Sequence, residues 1–180
     1  GTADSVFQKD IGYYIYQLPF YQSIITWLYG VVIVAMIAVL ATYLYRKAIY
    51  IEPQGIRLAD VVKRHLMILG ALLLVIYAVD NYFSAYNILY KDNGTVVGAS
   101  YADVHAVLTG YRVMIGVAAL GAILAIWGAV KATWRFAVIA GVAQFAVGFV
   151  MLNVYPGLIQ RFVVTPNALE KEKPYIEENI

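Results

Sequence analysis

The chain has no cysteine. That removes disulfide frameworks, thiolate nucleophiles and Cys-ligated zinc or iron–sulfur centres together. Charge is scarce as well: 13 Lys+Arg and 11 Asp+Glu make 13% of 180 residues, about half of the roughly 25% typical of soluble domains. So little charge cannot wet a globular surface, and it excludes a disordered chain and a nucleic-acid-binding domain. No phosphate loop, dinucleotide fingerprint or HExxH motif is present. What the sequence does have is apolar surface, with 62% hydrophobic residues and a mean hydropathy of +0.72. Composition therefore points to lipid as the solvent.

A helix crossing a hydrocarbon core of about 30 Å needs about 20 apolar residues. Four runs approach or exceed that length, at about 20–45, 66–88, 106–130 and 136–155. The first is uncharged, with Tyr21, Trp27 and Tyr29 towards one end and Tyr43 and Tyr45 at the other, where interfacial aromatic belts sit. The second is purely apolar only from Leu66 to Val79, so it spans only if Asp80 to Ile88 continue the same helix. The pattern predicts an all-α membrane protein whose four transmembrane helices form an antiparallel bundle. Residues 1–19 read as an aromatic interfacial segment and 156–180 as an extracytoplasmic tail.

Lys and Arg set orientation in short loops. Arg46, Lys47, Arg57, Lys63 and Arg64 lie between the first two runs, and Lys131 and Arg135 between the last two. These loops are expected on the cytoplasmic side, which puts both termini outside a cell membrane crossed by a multi-pass chain. Between Gly55 and Leu66, Ile56, Ala59, Val62 and Leu66 fall on one stripe, as in a short helix lying in the headgroup plane; a plain charged linker reads equally well. Asn93-Gly94, between two β-rich runs, is a tight-hairpin signal. Thr165-Pro166 reads as a helix start with Thr as N-cap, and Pro174 as the place just before which that helix stops or bends. Tyr175, Ile176 and Ile180 then have no partner surface and are expected to be mobile or to dock on an absent outer domain.

Five polar residues are candidates for function. Asp80 lies ~12 Å inside the second span if that span ends near Ile88, and Arg112 ~10 Å inside the third if it begins near His105. They fit a polar cavity or ion path completed by Gln144. They fit better a structural ion pair, or two side chains reaching the interface separately, since both sit in the outer half of the membrane. Gln144 sits among Ala137, Gly141 and Gly148, a small-residue face on which an amide is expected to bond across to a neighbouring helix. Asp103 and His105 could form an acid–base pair. They also suit capping of the third span, since Ser100-Tyr101-Ala102-Asp103 has the spacing of a capping box. His65 and His105 fall on opposite sides and cannot share a metal, so no metal and no cofactor are expected.

Three separated strings carry a resemblance: DIGYYIYQLPFY from Asp10 to Tyr21, GASYADVHAVL from Gly98 to Leu108, and NVYPGLIQRFVVTPNALEKEKPYIEENI from Asn153 to Ile180. Together the chain resembles the UPF0182 family of uncharacterised prokaryotic membrane proteins. It departs from that pattern at Ala102, where the family often has Thr, at Thr109, where it has Pro, and at Ala168, where it has Glu. The resemblance implies further spans upstream and a large soluble region downstream on the extracytoplasmic side, and it brings no activity. The leading expectation is a non-enzymatic module anchoring or assembling that outer region. Its partners would be the lipid bilayer, the absent soluble domain, and a further copy or an envelope protein, with no nucleic acid. The alternative from another class is a transporter or channel subunit using Asp80, Arg112 and Gln144.

Overall fold

The computed structural model describes residues 4, 6–52, 55–91 and 98–179. Four helices in it are long and apolar enough to cross a membrane: Tyr13–Tyr45, Asp60–Tyr90, Asp103–Lys131 and Arg135–Asn167. Their regular portions are α1 (Leu18–Tyr45), α2 (Asp60–Ser84), α3 (Leu108–Lys131), α4 (Arg135–Phe149) and α5 (Tyr155–Ile159), and the tail forms α6 (Ala168–Asn179). A small antiparallel pair, β1 (Ile49–Glu52) and β2 (Gly55–Leu58), joins α1 to α2 with Ile49 opposite Leu58. At the same end α3 turns into α4 through Ala132, in the left-handed region at φ 51°. The opposite end carries both terminal segments and the α2–α3 connection. These are the hairpin end and the terminal end.

Helices are the only open-ended answer in lipid, because each backbone N–H and C=O must be satisfied within its own segment. Their arrangement follows from short connections, which make sequence neighbours into antiparallel spatial neighbours. α1 packs on α2, α2 on α3 and α3 on α4, and no extended contact closes the row between α1 and α4. The bundle is thus open, and α3 is its best-covered member. It buries Gly110, Met114, Ala118, Gly121, Ala122, Ala125, Gly128 and Ala129, whereas α1 buries only Leu18, Ile25 and Val32, and α4 only Ala140. The outward faces keep large apolar groups exposed, among them Trp27, Val34 and Ile37 on α1 and Val142, Phe145 and Phe149 on α4. Such faces suit lipid contact.

Prolines shape the terminal end. Widened π-type turns occur at Tyr13–Gln17, Val150–Val154 and Gln160–Val164. Each ends two residues before a proline: Pro19, Pro156 and Pro166. A proline ring clashes with the carbonyl four residues back and offers no N–H, and a wider turn moves that carbonyl off the ring. The fourth such turn among the described residues, Asp103–Val107, precedes Thr109 instead of a proline. There the Thr109 hydroxyl donates to the His105 carbonyl at 2.9 Å.

Pro156 has a consequence across the row. The Tyr155 N–H bonds the Val150 carbonyl, so the next carbonyl, Met151, meets only the donorless nitrogen of Pro156 at i+5. That carbonyl faces Gly110 of α3, where a Cβ would stand 2.7 Å from it and 2.9 Å from a methyl of Leu152. Backbone-to-backbone approach of this kind allows a Cα–H···O=C contact.

Three expectations change here. The stretch from Gly55 to Leu66 is no headgroup-plane helix: Gly55, at φ 130°, takes a conformation natural to glycine, β2 pairs back onto β1, and α2 already starts at Asp60. Thr165 does not cap a new helix; the preceding helix runs into it, and its hydroxyl donates back to the Gln160 carbonyl at 2.8 Å. Nor does α6 stop before Pro174, which lies inside it. Glu170, whose carbonyl loses its donor there, is exposed, so water can serve that carbonyl. The Asn93-Gly94 hairpin lies outside the described residues.

Gly110→Ala should cost about 1–3 kcal/mol, because a methyl must displace backbone rather than a flexible side chain. Gly116→Ala, where nothing lies within 4 Å, should be close to neutral. Thermal melting of the two variants in detergent compares them, and equal melting would refute the close α3–α4 approach.

Candidate functional site

The intramembrane polar group is built on the α1–α2 seam. Gln22, Ile25, Tyr29, Val32, Met36 and Tyr43 recur on α1 at alternating steps of three and four, with one step of seven, their sum, at the end, the spacing of a helix–helix seam. Ile25 and Val32 are buried against Ile76 of α2. The polar members meet polar residues in antiparallel register: the Gln22 amide donates to Asn87 at 3.0 Å, Tyr29 reaches Asp80, and Tyr43 contacts His65 Nδ1 at 3.3 Å.

Asp80 lies 10 residues before the helix end at Tyr90, about 18 Å when the last six residues rise at the tighter 3-10 pitch of about 2.0 Å each. It is half-buried. The Tyr29 hydroxyl stands 3.4 Å from its Oδ2 and the Ser84 hydroxyl 3.5 Å from its Oδ1. Both contacts are long against the 2.5–2.7 Å of a strong O–H···O⁻ bond. Tyr111, from α3, lies within electrostatic range of the same carboxylate and of Tyr77. One helical step on, Asn81 is buried and donates to its own Tyr77 carbonyl at 2.7 Å.

Arg112 does not join this group. It is exposed on α3 and takes no part in the ion pairs seen at Lys63–Asp60 and Lys91–Asp103. Its long side chain can carry the guanidinium to the interface while the stem stays in lipid. Gln144 does lie on the α3–α4 seam, between Ala140, which faces Gly121, and Gly148, which faces Met114. However, its amide makes no bond across the seam: both polar atoms are sealed from solvent without a hydrogen-bond partner. The small residues that let the helices approach also leave no acceptor or donor within its reach.

Asp103 is fully buried at the terminal end. Lys91 donates to its Oδ1 at 2.5 Å, while Oδ2 accepts the Ser100 hydroxyl at 2.6 Å and the Ser100 N–H at 3.1 Å. The Asp103 N–H in turn donates to Ser100 Oγ at 3.2 Å. This is a reciprocal capping box, reinforced by a lysine from the end of the second span. His105 is exposed and points the other way: its Nε2 contacts the Tyr175 hydroxyl at 3.1 Å, and its ring packs 4.2 Å from that of Tyr101. Asp103 and His105 therefore engage different partners. The tail is not loose at Tyr175, because the Tyr101 N–H also donates to Glu172 at 3.3 Å and the Tyr101 and Tyr175 rings meet edge-on. The side chain of Ile176 and all of Ile180 lie outside the described residues.

Residues that sequence reasoning passed over complete this end. Asp4 accepts from the N–H groups of Val6, Phe7 and Lys9 and, at 2.6 Å, from the Tyr14 hydroxyl. The Tyr13 and Tyr14 rings pack edge-on to Tyr86, and Phe7 lies 4.6 Å from that ring. The segment before α1 is thereby clamped to the end of the second span. Burial works against the charge on Asp4, but the Phe7 N–H, the Tyr14 hydroxyl and the Lys9 and Val6 N–H groups together hold its carboxyl below the usual range.

Comparison with known proteins gives one family. The model of "Uncharacterised protein family (UPF0182)" matches residues 1–180. Similar relatives include a "UPF0182 protein" of a Synechococcus strain, 34% identical over 198 residues and covering 100% of this chain and 23% of that protein. Another, from Pelobacter propionicus, is 36% identical over 181 residues, covering 100% of this chain and 20% of that protein. A third, from a Nocardioides strain, is 30% identical over 181 residues, with 100% and 18% covered. The chain thus spans about a fifth of the length of the curated relatives it matches. No solved structure matches.

Two measurements test the terminal end. Lys91→Met leaves the Asp103 carboxylate buried without its cation and should lower stability on the order of 3 kcal/mol, and adding Asp103→Asn to that variant should recover part of the loss; no recovery would show that the pair does not hold the connection. For Asp4, a folded value below the unfolded one of about 3.9 means that its contribution is complete above about pH 4 and is lost as pH falls through the folded value. Protection of the Val6, Phe7 and Lys9 amides against exchange, taken relative to the intrinsic rate at each pH, should therefore hold from neutral pH to about 4 and fall below, and Asp4→Asn should lack that protection throughout.

Proposed function

The chain belongs to the uncharacterised family UPF0182, and on that premise we propose that it is a multi-pass membrane module of a longer protein, one that anchors a large extracytoplasmic domain in the cell envelope. The observation that carries the reading is the contrast between the two ends. The hairpin end collects Arg46, Lys47, Arg57, Lys63, Arg64, Lys131 and Arg135, the pattern of a cytoplasmic face. The terminal end carries the capped start of the third span, the clamped segment before α1 and the tail helix, with Glu172 and Tyr175 seated on Tyr101 and His105 at that start. A tail held there would give the downstream chain a fixed point of departure from the membrane. The open row supports the same reading, since its outward faces offer apolar surface and little chemistry.

A transporter or channel subunit is the second reading. What favours it is Asp80, held within a span by two long hydroxyl contacts and by no cation among the described residues.

The test uses the full-length protein in intact cells. Cys placed at Lys47 or Lys131 should react with an impermeant thiol reagent only after the membrane is opened, and Cys at Glu172 without opening it. A protease site inserted after Asn179 should release a soluble fragment on external digestion. A reversed labelling pattern, or a fragment that stays with the membrane, would overturn the anchoring reading.

A further inference from the structure

At the hairpin end, the cations outnumber the means of neutralising them. Between Arg46 and His65 and between Lys131 and Arg135 the sequence holds seven Lys and Arg against two acids, Glu52 and Asp60. Asp60 is taken by Lys63 at 3.0 Å. Arg46, Lys47, Arg64, Lys131 and Arg135 are exposed and make no ion pair among the described residues.

The fold gathers these cations rather than scattering them. Tyr43 against His65 joins the end of α1 to the start of α2. Gly128, whose added Cβ would stand 3.0 Å from the Thr133 carbonyl and 3.1 Å from Met67, joins the α3–α4 turn to α2 about one turn beyond Lys63 and Arg64. These five cations, of which Arg64 also lies within electrostatic range of Asp60, therefore follow one edge of the row. Exposed aromatic side chains accompany them: Tyr45, Trp127 and Trp134, with the Lys131 ammonium 5.5 Å from the Trp127 ring centre. Indole and phenol rings settle at the glycerol and headgroup level, and cations just beyond them meet the phosphates.

Orientation alone requires positive charge in the loops. It does not require an edge of unpaired cations flanked by interfacial rings. We infer that this edge is a binding surface for anionic phospholipid headgroups, which supply the missing counter-charge. The inference depends on the charge and ring pattern and is independent of any anchored outer domain.

The experiment is native mass spectrometry of the full-length protein, released from detergent after equilibration with equal amounts of phosphatidylglycerol and phosphatidylcholine. Retained phosphatidylglycerol should exceed phosphatidylcholine by about tenfold, as several cations at an anionic surface imply. Arg46→Gln, Lys47→Gln and Arg64→Gln together should lower that preference several-fold, and so should Lys131→Gln with Arg135→Gln, in protein whose melting is unchanged. Having two half-sets keeps the test open if one of them fails to fold. Lys171→Gln with Lys173→Gln, at the other end, should leave the preference intact. Equal retention of the two lipids, an undiminished preference in both half-sets, or full displacement of phosphatidylglycerol by inorganic phosphate would each overturn the lipid assignment.

Discussion

The row of helices depends on how closely α3 lets its two neighbours approach. In lipid there is little hydrophobic drive to bring apolar helices together, so contact rests on shape and on the few polar bonds available. α3 meets this with small residues on two faces. Towards α2, Ala122 and Ala125 pack with Ala71, and Gly121 meets Leu74. Towards α4, Gly121 again meets Ala140, Met114 fills the space at Gly148, and Gly110 lies on the Met151 backbone. α2 and α4 have no extended contact of their own. Were α3 bulkier, the row would separate into two hairpin halves.

The terminal end shows how one local constraint propagates. Pro156 widens the turn before it, the wider turn leaves the Met151 carbonyl without a helical donor, and that carbonyl requires a residue without a side chain opposite it. Gly110 therefore answers a demand made some 46 positions later in the chain. The same logic reads forward from Pro19 and Pro166, where wider turns precede the rings. At the fourth such turn Thr109 stands where the other three have a proline; its backbone keeps the N–H that a proline lacks, and its hydroxyl adds a bond to the His105 carbonyl.

How much of this was legible in the sequence depends on the kind of signal. The four helices followed from apolar runs alone, because hydrocarbon thickness fixes their length. Their true extent did not, since helical backbone continues past the apolar run wherever flanking residues can reach the interface, as Asp60 to His65 do. β1 and β2 were missed because four-residue strands carry almost no periodicity, and the apolar stripe from Ile56 to Leu66 mimics a helix. The Ser100–Asp103 cap was legible, being local chemistry at a fixed spacing. Tyr29 as the partner of Asp80 was obscured by the surrounding apolar residues, yet the spacing of Gln22, Tyr29 and Tyr43 could have found it, because those three stand 7 and 14 positions apart along one seam. The expected Gln144 bond failed for the converse reason. A small-residue face identifies where helices touch, not whether a partner group stands opposite.

The two aspartates at this end of the row show how the same side chain is used in different ways. Asp103 is sealed from solvent and receives an ammonium, a hydroxyl and a backbone N–H. That is a full set for a carboxylate, and its effect is to fix a helix start. Asp80 lies deeper along its helix and receives only two distant hydroxyls. A strong donor, Arg112, stands on the neighbouring α3 beside Tyr111, but the helical step from Tyr111 turns it towards the outward face, where it is exposed. The seam faces of α1 and α3 thus bring tyrosines towards Asp80 and no cation. A carboxylate in that setting is not needed to hold the helices together, since Ile25, Val32 and Ile76 already form that contact. Its weak engagement sets it, with the unpartnered amide of Gln144, apart from polar groups such as Asp103 that the fold fully satisfies.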